Sequence, residues 1–202
     1  YGAASPALAT FLTFGFCAGI ALFFALAAWL WARWLRRNDA PVSDALALMA
    51  VEKIATALPQ VLSNPQDKRL RLQLAEGSTL AGMAFSNSMV GLVHALGHSL
   101  GARCHLPHGL CMNLFLPAVL DYNRPQIDPE LARLLLPLAG PERFAATPQA
   151  LRPQAALDAL CALRDSLWQA VGLPRTLAEA GVTDRAVLKD IRDLAINDGA
   201  LL

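Results

Sequence analysis

From Tyr1 to Ala32 the chain carries no charged side chain. Residues 7–32, ALATFLTFGFCAGIALFFALAAWLWA, exceed the ~20 apolar residues that cross a bilayer, and RWLRR follows at once. No polar face can be drawn on a helix of this composition, so a buried core helix fits it less well than lipid does. Trp29, Trp31 and Trp34 stand where an interfacial belt would lie. Arg33, Arg36 and Arg37 would hold the following chain in the cytoplasm by the positive-inside rule. A cleaved signal peptide fits poorly, because the basic residues follow the apolar run and the run is too long. The expectation is a transmembrane helix with the globular part cytoplasmic.

After Asn38 the texture changes. Pro41, Ser43 and Asp44 read as a helix start, with Ser43 as the cap and Asp44 facing the positive end of the dipole. Leu46, Met49, Ile54, Leu58 and Leu62 recur at helical spacing and predict a helix to about Leu62. Asn64 as cap and Pro65 at the first helical position open a second helix toward Gly77. A third is expected from Thr79 to Leu100, ending at Gly101 and bearing two histidines. Further helices fall near Asp128–Leu138, Gln154–Val171 and Thr183–Ile196, punctuated by Gly140-Pro141, Gly172-Leu173-Pro174 and Gly181. No alternating strand pattern and no repeat occurs, so the fold class is all-α.

Net charge is +1, without the basic excess that nucleic-acid binding needs. Cys17, Cys104, Cys111 and Cys161 contain no CxxC pair, so no disulfide framework is indicated. The chemistry concentrates elsewhere. All four histidines lie within HALGHSLGARCHLPH, residues 94–108. His94 and His98, four apart on a helix, project from one face, and His108 can return from the loop to the same point. Neutral imidazoles so gathered suit iron, zinc, cobalt or nickel. The H-E-x-x-H metalloprotease pattern is not met, because Ala95 stands where its glutamate would be. A closed zinc site using Cys104 matches none of the usual finger spacings and is a minor alternative.

The stretch AGMAFSNSMVGLVHALGHSLGARCHLPHGLCMNLFLPAVLDYN resembles the signature of the iron-containing (group III) alcohol dehydrogenases, roughly G-x-x-H-A-x-x-H-x-x-G-x-x-x-x-x-P-H-G. Every fixed position is met from Gly91 to Gly109. RNDAPVSDALALMAVEKI is similar to the segment preceding it, so the likeness runs from about Arg37 to Leu202. The resemblance implies the all-helical, metal-carrying C-terminal domain of a dehydroquinate synthase-like fold, whose companion domain binds the nicotinamide. It implies Fe²⁺ or Zn²⁺ and NAD(P) as cofactors, a small alcohol or aldehyde as substrate, and dimers or larger homo-oligomers. His94 and His108 match two metal-ligating histidines. His98 matches a histidine near the nicotinamide that relays protons, and is the expected catalytic and cofactor-contacting residue. His105 matches nothing functional.

The family's other two ligands are an Asp and a His on an earlier helix reading like D-A-L-T-H-A-I-E-A-Y. Counted back without a gap, they fall on Ala25 and Trp29, which bind no metal. No GGGS-type phosphate loop occurs either. The expected organisation is a leader over residues 1–37, either a true membrane helix or a frame-shifted segment, and a helical domain over 38–202 lacking its nucleotide-binding partner. Such a chain alone is expected to be catalytically incompetent. The alternative is a membrane-tethered, non-catalytic helical module with a vestigial histidine cluster.

Overall fold

The computed structural model describes residues 41–201, and every regular element among them is helical. The transmembrane expectation for residues 7–32, like Ala25 and Trp29, lies outside the described residues.

Helix α1 is Pro41–Ser63. Its buried positions Ala47, Ala50, Val51, Ile54, Ala57, Leu58 and Val61 follow the three-and-four spacing of one helical stripe. Ser43, expected as a cap, is already inside the helix and buried, and Asp44 beside it pairs with Arg133 at 3.3 Å. Among the described residues α1 is the one helix long and apolar enough by itself to cross a membrane. Its apolar stripe is spent on the protein core.

Helix α2, Lys68–Ser88, starts later than the sequence suggested. Asn64–Gln66 make the turn, with the Asp67 amide donating to the Asn64 carbonyl at 3.1 Å. The cap is Asp67, whose Oδ1 accepts from the amides of Arg69 and Leu70 at 2.8 and 3.1 Å. The turn folds α2 back along α1, as Lys53–Glu76 at 2.8 Å and the Gln73 side chain on the Lys53 carbonyl at 3.2 Å register. Gly77, read as a stop, is instead a contact point: a Cβ there would lie 2.6 Å from Ile54 Cγ1.

The expected single helix Thr79–Leu100 is two. Helix α2 ends at Ser88, and α3, Leu92–Cys104, leaves at a bend of 108°. The side chains of Ser86, Asn87 and Ser88 all turn back to the carbonyls four residues before them, each at 2.7 Å, so three consecutive residues draw on the backbone acceptors as the helix ends. Met89 then takes φ 65° and ψ −171°, a conformation that favours glycine. Helix α3 also runs past Gly101, and His105 caps it in the left-handed region, φ 55°.

Helix α4, His108–Ala146, absorbs both the predicted Asp128–Leu138 helix and the segment before it. Pro117, Pro125, Pro129 and Pro137 lie inside it, each removing one N–H from the ladder without stopping it. Gly140, with φ 83° and ψ 168°, does break it, leaving Pro141–Ala146 as a separate turn. Helix α5, Arg152–Val171, is closed by Gly172 at φ 70°. Helix α6, Arg185–Ala195, is capped by Asp184 and followed by a short turn, Gly199–Leu201. These last two agree with the predicted helices to within about two residues.

The main core joins α1, α2, α4 and α5, with Ile54, Leu58, Leu120, Ile127, Leu131 and Leu135 nearly inaccessible. A second cluster sets α3 and the start of α4 against α6 through Leu100, Cys111, Leu114 and Ile191. Helix α3 is thus clamped from two sides, and it carries the histidines.

Candidate functional site

His94 and His98 stand one turn apart on α3, and His108 is the first residue of α4. The tight His105–Pro107 connection folds α4 back so that the three imidazoles meet. Ring centroids are 5.5 Å apart for His94–His98, 5.8 Å for His94–His108 and 5.4 Å for His98–His108. Gly97, between the two α3 histidines, makes the close approach possible: a Cβ there would collide with the Met112 thioether of α4. His105 is exposed at the end of α3 and outside the triangle.

The three rings differ electrostatically. His94 is buried and both its ring nitrogens are shut off from solvent. Burial first, and then the neighbouring His98 and His108, lower its pKa from 6.5 to about 3. His108 is also pushed down, by desolvation and by His98. Its place at the helix N-terminus adds a dipole that opposes imidazolium. Both are therefore neutral imidazoles at pH 7, the form that ligates metals. His98 is half-exposed, and its Nδ1 lies 3.1 Å from Asp198 Oδ2.

The metal implied by the signature requires more than these groups. Among the described residues no set of three or more His, Cys, Asp or Glu side chains is disposed to hold an ion. The described residues therefore do not by themselves fit iron or zinc, and the minor alternative of a closed site through Cys104 is not formed there either.

Sequence reasoning missed Asp198, a hundred residues from its partner. It also missed Asp190, which receives the Arg103 guanidinium at 2.9 Å and ties α6 to α3. Nothing in the local sequence of the α6 region marks either carboxylate. The break before α3 did carry a signal, the run Ser86-Asn87-Ser88 followed by Gly91.

Comparison with known proteins places this geometry. The family model for the Fe-containing alcohol dehydrogenase family, C-terminal, matches residues 32–201. Long-chain-alcohol dehydrogenase 1 of Geobacillus thermodenitrificans is 34% identical over 151 residues, covering 74% of this chain and 36% of that protein. The 1,3-propanediol dehydrogenase of Klebsiella pneumoniae is 31% identical over 174 residues, covering 82% of this chain and 41% of its own. Among solved structures, a 1,3-propanediol oxidoreductase superposes with a TM-score of 0.79 at 27% identity, over 91% of this chain and 45% of the other. The chain thus spans about two fifths of the length of such relatives. With the match running through every helix that builds the histidine triangle, the chain belongs to the iron-containing alcohol dehydrogenase family, in its C-terminal helical domain.

Proposed function

We propose that residues 38–202 are the histidine-bearing domain of a metal-dependent, NAD(P)-linked alcohol dehydrogenase, an oxidoreductase interconverting a small alcohol and its aldehyde. On this reading the 202 residues alone are not a competent catalyst. The observation that carries it is the convergence of His94, His98 and His108 within 6 Å, inside the family match. On this reading His94 and His108, which burial keeps neutral, supply the two metal-directed nitrogens, and His98 is assigned nicotinamide contact and proton transfer by the family resemblance. The ion, Fe²⁺ or Zn²⁺, would need further ligands at the positions where the ungapped count finds Ala25 and Trp29. The nicotinamide would need the companion nucleotide-binding domain that the family resemblance implies. Assembly into a homo-oligomer belongs to the same reading.

The test is metal uptake and turnover by the full 202-residue chain, titrated with Fe²⁺ or Zn²⁺ and assayed with a primary alcohol and NAD(P). The expected result is weak binding that a chelator strips and no turnover. His94→Ala and His108→Ala remove the residual metal and His105→Ala does not. Equal loss from all three variants refutes the assignment of roles, and turnover by this chain refutes its incompetence.

A second reading, a membrane-tethered and non-catalytic module with its globular part cytoplasmic, is favoured by the uncharged run over residues 7–32. It requires the full chain to stay in the membrane pellet after alkaline carbonate extraction. A D-A-L-T-H-like segment in another reading frame of the codons for residues 1–37 would remove it.

A further inference from the structure

The last turn of the described chain reaches back to the site, and one carboxylate makes the connection. Asp198 follows α6, its amide donating to the Ala195 carbonyl at 3.1 Å. Its two carboxylate oxygens are divided. Oδ1 accepts from the Ala200 amide at 2.8 Å and so locks the turn Gly199–Leu201. Oδ2 lies 3.1 Å from His98 Nδ1. The turn lies on α3 through small residues: Ala95, three positions before His98, packs with Ala195 and Ala200. That contact sets how close the carboxylate comes to the imidazole. The Asp198 side chain retains only 20% of its exposure, against 42% for His98, so its hydrogen bonds compete with less water than those of a surface carboxylate.

A carboxylate oxygen can only accept, so the His98 nitrogen facing it must carry the hydrogen. In the neutral ring the other nitrogen, Nε2, then holds the lone pair. We propose that Asp198 is the positioning residue of His98, fixing its neutral ring as the Nδ1–H tautomer and leaving Nε2 as the proton-accepting nitrogen of the histidine triangle. The proposal rests on the reading above only in giving His98 a proton to move. The tautomer itself exists without metal, nicotinamide or turnover.

Asp198→Asn makes a discriminating change. The amide oxygen can keep the bond to the Ala200 amide, and the NH₂ group then replaces Oδ2 opposite Nδ1. A donor in that place turns Nδ1 into an acceptor and puts the hydrogen on Nε2, as a carboxylate-to-amide exchange does in hydrolase triads. The experiment is long-range proton–nitrogen correlation NMR on the nitrogen-labelled full chain, without added metal and at alkaline pH where imidazole is neutral. His98 signals are assigned by their loss in His98→Gln. In the wild-type chain Nδ1 is expected to give the pyrrole-type signal and Nε2 the pyridine-type signal, and in Asp198→Asn the two exchange. A wild-type His98 protonated on Nε2 overturns the proposal without any variant, and so does an unchanged tautomer in a folded Asp198→Asn. Failure of turnover or metal uptake in the earlier test leaves this result untouched.

Discussion

Acidification of the metal-free chain gives the most quantitative test of the site. His94 has a pKa near 3 in the fold and 6.5 when released. The unfolded chain therefore takes up this proton first as the pH falls. Stability present above pH 6.5 is lost progressively on the way down to about pH 3. One pKa unit corresponds to about 1.4 kcal/mol, and the linkage relation for this single group gives a loss of roughly 3 kcal/mol between pH 7 and pH 4. That is a large share of the 5–15 kcal/mol typical of a folded domain. His108, shifted in the same direction, adds to the slope. The assay is urea unfolding followed by circular dichroism from pH 7 to pH 4, on the full chain in mild detergent with a chelator present. His94→Gln is compared with the unaltered chain. The variant will be less stable at neutral pH for packing reasons, but it is the slope that matters. Carboxylates contribute equally to both proteins, so the variant's slope should fall by about 1 kcal/mol per pH unit through the middle of the range. Parallel pH profiles would refute the claim that the fold holds His94 neutral.

Two further substitutions probe how the histidine helix is set. Met89→Gly removes the side chain from a backbone conformation that costs an ordinary residue about 1–3 kcal/mol. After the entropy cost of glycine it should raise the unfolding free energy by about 1 kcal/mol, read from the urea midpoint. Gly77→Ala places a methyl 2.6 Å from Ile54 Cγ1, an atom of a β-branched side chain with little rotamer freedom in a helix. It should cost roughly 1–3 kcal/mol in the same assay, and a neutral result would mean that α1 and α2 separate easily.

The sequence by itself determined the all-helical class, because three-and-four spacing recurs across residues 46–62 and no alternation competes with it. It also put His94 and His98 on one helical face by their four-residue step, with His108 able to return from a loop over residues 101–107. The tight His105–Pro107 connection that brings the third ring in is a feature of the fold. The end of α5 was legible for a local reason, a glycine after Val171, whereas the cap of α6, Asp184, fell inside the helix expected from Thr183.

Other decisions belonged to the tertiary structure. Gly77 and Gly101 read as stops because glycine weakens a helix, yet both lie inside helices, and at Gly77 the close approach of Ile54 is what the glycine permits. The sequence predicts a helix only near Asp128–Leu138, yet packing against α1 and α5 holds α4 from His108 onward through four prolines, each of which removes an N–H from the ladder. The same holds for the electrostatics. The sequence says that His94 is a histidine, and only its burial among Ala95, His98 and His108 makes it a neutral base with a pKa near 3. Asp198 lies a hundred residues from His98, and no local spacing encodes that bond. Local preferences fix which residues share a helical face. Which faces meet, and therefore which groups lose water and which carboxylate finds which imidazole, is set by the packing of helices distant in the chain.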